Sequence, residues 1–148
     1  MTTEDPFDLQ RFITAQGPVY ARVCAELEAG RKASHWMWFI FPQIAGLGRS
    51  ATAERYAISG LAEAKAYLAH PVLGPRLAEC TRLVLGIEGR TADTIFGYPD
   101  TLKFHSSMTL FSAASEGADL FDTALKNYFG HPDAMTLDLL ERSAAKGR

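Results

Sequence analysis

The chain reads as an all-α protein: a single domain of about eight short helices with no substantial sheet. Three observations carry this. Apolar residues recur at three- and four-residue spacing in one segment after another. Capping residues stand where those segments begin, and glycine or proline stands where they end. Strand signals are nearly missing: there is no Asn-Gly or Asp-Gly hairpin turn and no sustained alternation of β-branched residues.

The elements follow in order. Asp5-Pro6 is an N-cap acceptor followed by proline at the first helical position, where its missing N–H costs nothing. Leu9, Phe12 and Ile13 then share a face, and Gln16-Gly17-Pro18 breaks it. Val19, Tyr20, Val23 and Leu27 form the next face, ended by Gly30. The run Trp36–Phe41 has no clear period, and its length fits a buried strand or a short buried helix. Ser34 as a cap and Pro42 as a stop favour the helix. Gly46-Leu47-Gly48 is a loop. Ser50 opens a turn or two of helix, and Ser59 caps another with Leu61, Ala64 and Leu68 on one face, broken at His70-Pro71. Leu73, Leu77, Cys80 and Val84 line the next. Thr91 caps a short helix ending at Phe96, and Gly97-Tyr98-Pro99-Asp100 is a turn. Leu102 to Ala114 reads as a buried helix with Phe104, Met108 and Phe111 on its packing side. Residues 115–117 are loop. Leu120 to Tyr128 is helical and stops at Gly130. Thr136 caps the last helix, and the tail 144–148 is expected to fray.

Composition narrows the function classes. At 148 residues, with 47% apolar and 22% charged residues, the chain is of ordinary globular make-up, so the domain is taken as 1–148 with a core over 5–140. Net charge is −2 with no basic stripe, which argues against a nucleic-acid partner. The acidic start lacks the apolar stretch of a signal peptide, and the six-residue run Trp36–Phe41 is far short of the roughly 20 residues a membrane helix needs. A cytoplasmic protein without a membrane partner is expected. Cys24 and Cys80 lie in helical patterns and read as small buried hydrophobes. No metal-ligand spacing occurs, so neither a metal nor a cofactor is expected.

The segment Gly30-Arg31-Lys32-Ala33-Ser34-His35-Trp36-Met37-Trp38-Phe39-Ile40-Phe41-Pro42-Gln43 holds both tryptophans of the chain. With Asp5-Pro6-Phe7, Gly46-Leu47-Gly48, Ile95-Phe96-Gly97 and Lys103-Phe104-His105-Ser106-Ser107-Met108-Thr109-Leu110-Phe111, it resembles the bacterial and fungal family known as domain of unknown function 1810. The resemblance runs over about residues 5–140 and implies a mainly helical single domain. It implies no activity, substrate or catalytic residue.

Candidate chemistry therefore comes from the residues. Arg31, Lys32, Trp36 and Trp38 form one polar-aromatic cluster, with His35 inside it and Gln43 beyond. Lys103, Ser106 and Ser107, with Asp100 and His105, form a second. Should the two meet, they would wall a pocket with cations, hydroxyls and rings suited to a small anionic, ring-bearing ligand such as a nucleotide or sugar phosphate. His105, His35 and Asp100 are the candidates for proton transfer in a metal-independent hydrolase or transferase. Each has a structural reading beside it. Tryptophans are core mass, Arg31 and Lys32 can cover a helix C-terminus, Lys103 can pair with Asp100, and helical serines bond back to the preceding turn. A protein–protein adaptor with no small-molecule site is the third class.

Overall fold

The computed structural model describes residues 5–115 and 120–146. Among them are ten helices: α1 (Gln10–Gln16), α2 (Tyr20–Glu28), α3 (Met37–Ile40), α4 (Ala51–Arg55), α5 (Leu61–Ala69), α6 (Leu73–Leu85), α7 (Ala92–Phe96), α8 (Asp100–Ala114), α9 (Leu120–Tyr128) and α10 (Ala134–Lys146). There is no sheet among these residues; an isolated parallel bridge joins Ile44 and Ile58. The count is two above the expected eight or so, and each of the ten falls in a segment that the sequence marks as helical. The tail expected to fray is helical to Lys146. Its last two residues, and most of the expected 115–117 loop, lie outside the described set.

Helix α8 is the axis of the fold. It packs on α9, α5, α10, α7 and α3, and it shows no one-sided apolar stripe because it is covered nearly all round. Phe104, Met108, Leu110 and Phe111 are fully buried. Phe104 meets Phe41 edge-on at 5.0 Å and stacks on Phe96 at 4.6 Å. Phe111 meets Tyr67 at 5.2 Å, and Tyr67 meets Phe12 at 5.1 Å. Phe39, by contrast, is only half-buried and packs against Tyr56 at the margin.

The caps correct four sequence expectations. Leu9, not Asp5, is the N-cap of α1, and Pro6 lies before the helix; the Asp5 carboxylate instead accepts from the backbone N–H groups of Leu9 and Gln10. Those two bonds hold its pKa below the ordinary aspartate value. Trp36, not Ser34, is the cap residue of α3. Gly60 occupies the cap position of α5, while Glu63 reaches back to the Ser59 N–H at 2.9 Å. Asp133, not Thr136, caps α10, accepting from both the N–H and the hydroxyl of Thr136. Ser50 and Thr91 cap α4 and α7 as expected. Between α5 and α6 the chain turns so closely that a Cβ on Gly74 would lie 2.1 Å from the Leu68 carbonyl oxygen, so only glycine fits.

Candidate functional site

Two carboxylates organise the tryptophan segment. The first is Glu26, on the last turn of α2. Its Oε1 accepts from the N–H groups of Ala33 at 2.6 Å and Ser34 at 3.0 Å and from the Trp36 indole N–H at 2.9 Å; its Oε2 accepts from Ser34 Oγ at 2.5 Å. Burial alone would raise its pKa, but these four bonds, the Ser34 hydroxyl first, outweigh burial and bring it down to about 2. Sequence reasoning missed Glu26. The available signal was the buried indole, whose N–H requires an acceptor.

The second carboxylate is Asp100, the first residue of α8, where the helix dipole favours a negative charge. Lys32 is positioned by its backbone N–H on the Ile95 carbonyl at 2.8 Å. Its ammonium reaches Asp100 Oδ2 at 2.7 Å and lies 5.2 Å above the Trp36 ring, with the side chain 7% exposed. Lys103 sits 3.5 Å from Asp100 Oδ1 and 4.5 Å above the Trp38 ring, 20% exposed. One carboxylate thus serves two lysines, each lying over its own tryptophan.

Next to this triad, Ser106 Oγ donates to the Lys103 carbonyl at 3.0 Å. That uses its only hydrogen, so the Gln43 amide must face it as a donor, and does, with Nε2 at 2.7 Å. Gln43 is held in place by the backbone bridge, in which the Ile58 N–H donates to the Gln43 carbonyl and the Ala45 N–H to the Ile58 carbonyl, both at 2.8 Å. An open groove of about 390 Å³ is lined by Gln43, Leu47, Gly48, Pro99, Leu102, Lys103, His105, Ser106, Asp133 and Met135. Trp38 borders a smaller recess that shares Gln43 and Gly48.

The two sequence clusters therefore meet, but not with every expected member. Lys103, Ser106 and His105 line the groove, and Trp38 adjoins it. Lys32 and Asp100 stand behind Lys103. Trp36 is 1% exposed and belongs to the core. Arg31 and His35 are exposed and do not line the groove. Ser107 is fully buried, and its Oγ has no hydrogen-bond partner among the described residues. The Lys103 carbonyl, one turn back, already accepts the Ser106 hydroxyl.

His105 has a structural task. Nε2 lies 2.8 Å from the His131 carbonyl oxygen, and a carbonyl only accepts, so this nitrogen carries the proton. The ring stacks on Phe129 at 4.1 Å. Thr109 adds a second tie, accepting from the Asp133 N–H at 2.8 Å. Together they pin the α9–α10 connection onto α8. Sequence reasoning also missed Asp133 and the apolar walls Leu47, Leu102 and Met135, which come from three separate stretches of chain. Among the described residues no group of three or more His, Cys, Asp or Glu side chains is placed to hold a metal ion, and no helix is long and apolar enough to cross a membrane.

The fold as a whole has a counterpart among solved structures. The chain belongs to the family described as protein of unknown function DUF1810, whose model matches residues 6–140. Among solved structures, it is similar to the conserved hypothetical protein Rv1873 from Mycobacterium tuberculosis. The two are 56% identical, with a TM-score of 0.91, over 93% of this chain and 99% of the other. No curated protein shows significant similarity to it.

Proposed function

We propose that the chain is a binding or sensing module for a small anionic, ring-bearing ligand held in the Lys103 groove. The carrying observation is the unequal division of Asp100. Lys32 takes one oxygen at 2.7 Å, while Lys103 stands 3.5 Å from the other. Lys103 thus brings to the groove a positive charge that its own surroundings only partly offset. Gln43 supports the reading, because only one of its two amide hydrogens goes to Ser106. The groove's volume lies within the range typical of small-molecule sites, roughly 300–1,000 Å³.

The test is a thermal-shift panel of nucleotides, sugar phosphates and organic carboxylates on wild type and Lys103→Met. A ligand at 100 times its Kd stabilises the fold by about 2.7 kcal/mol. The reading expects such a shift in wild type and its loss in the variant; a shift that survives Lys103→Met overturns it.

A second reading, a protein–protein adaptor, draws on the apolar residues beside the groove: Tyr98 is 82%, Met135 62% and Leu102 53% exposed. Aromatic and methionine side chains are typical anchors of protein interfaces. It predicts that Tyr98→Ser, which lies outside the groove lining, abolishes cellular function while leaving melting and any ligand shift unchanged.

A further inference from the structure

We infer that the groove selects a ring-bearing monocarboxylate over a phosphate ester; this narrows the ligand class just proposed and rests on it. Charge favours the carboxylate. The groove is lined by one lysine, no arginine and the acidic residue Asp133. Lys103 already shares Asp100 with Lys32, so Lys32, Asp100 and Lys103 together carry one net positive charge. A phosphate monoester brings about −1.5 to −2 at neutral pH. About half to one of those charges would go uncompensated beside Asp133. A carboxylate brings one, which the triad balances.

The donors also favour a carboxylate. The Ser106 hydroxyl hydrogen is committed to the Lys103 carbonyl, so Ser106 cannot donate to a ligand. Among the lining side chains two donor groups remain, the Lys103 ammonium and the second Gln43 amide hydrogen, and they match the two oxygens of a carboxylate. A phosphate offers three terminal oxygens and is normally met by arginine forks or by the free N–H groups of a helix N-terminus. Here the N-terminus of α8 is preceded by Pro99, which has no N–H, and begins with the negative Asp100, while the N-terminus of α10, which also reaches the groove, is capped by the negative Asp133.

The walls point the same way. Leu102 and Met135 line the groove, and each is more than half exposed. A flat apolar ring would cover both, and the Met135 thioether is a favourable partner for a ring edge.

Calorimetric titration of the full chain with phenylacetate, indole-3-acetate, AMP and glucose 6-phosphate tests this. The expected result is that both carboxylates bind, at least roughly tenfold tighter than either phosphate, and that Lys103→Met and Gln43→Leu each weaken them about tenfold. Asp133→Asn keeps an effective cap for α10 and removes the repelling charge, so it should raise phosphate affinity and narrow the preference. Melting curves confirm that each variant is folded. If the phosphates bind as tightly as the carboxylates in a Lys103-dependent way, the monocarboxylate inference fails and the broader anion reading stands. If no probe binds up to millimolar concentration, or binding ignores Lys103→Met, both fail.

Discussion

Glu26 and Asp100 both hold the tryptophan segment, and they do it in opposite ways. Glu26 is saturated: four donors converge on it, and every one is a fixed part of the loop that it closes. Asp100 is divided between two lysines at unequal distances, and the less tightly held one opens onto a groove. Both clusters are charged and partly buried. The first has spent its hydrogen-bonding capacity inside the protein; the second has capacity left. Unspent capacity, more than charge or burial, separates a candidate binding site from a structural clamp.

The largest effect that bears on this contrast comes from the core that supports both regions. Phe111→Ala removes a fully buried ring from the C-terminal part of α8 and should cost roughly 3–5 kcal/mol. That is a large share of a typical 5–15 kcal/mol total, so little folded protein should remain; wild-type-like denaturant unfolding would contradict the packing described.

Next comes the clamp. Glu26→Ala leaves several donors without their acceptor and should cost roughly 2–4 kcal/mol, read from denaturant midpoints. Its pH dependence has a definite sign. The folded-state pKa, about 2, lies below the ordinary value of 4.5. The stabilisation is therefore fully present above about pH 4.5 and is lost as the pH falls through about 2. The gap between wild type and variant should close on acidification over that window. A gap that stays constant would show that the hydrogen bonds do not depend on the carboxylate charge.

Ser107→Ala should have a smaller effect, of opposite sign. It removes a buried hydroxyl that lacks a partner, so stability should stay level or rise by up to about 1 kcal/mol. A loss above that would reveal a hidden partner for Ser107 and place it with the clamp.

Local signals made most of the fold legible. The caps at Ser50 and Thr91, the glycine stop at Gly30, the proline break after His70 and the periodicity of α6 all act within a few residues, and the helices fall where these signals put them. The errors were of register. Asp5 lies four residues before the N-cap of α1, and the capping of α10 fell to Asp133, three residues before Thr136. The candidate site was half legible. Lys103 and Ser106 are one turn apart, so their common face follows from helical geometry. That Lys32 reaches Asp100 across 68 positions of sequence, or that Glu26 rather than a ligand satisfies Trp36, depends on long-range packing that no local pattern encodes. Leu102 and Met135 read as ordinary apolar helix residues, and only the groove gives them a task.

The most direct test of the contrast is a single melting comparison of Glu26→Ala and Lys103→Met against wild type, each alone and with the tightest-binding carboxylate. Spent capacity at Glu26 predicts a lowered melting temperature with the ligand-induced shift retained. Spare capacity at Lys103 predicts a change of no more than about 0.5 kcal/mol, as for an exposed or half-paired charge, with the shift abolished. A Lys103→Met variant that melts as low as Glu26→Ala, or that keeps its ligand shift, would contradict the account and make the Lys32–Asp100–Lys103 triad a second clamp.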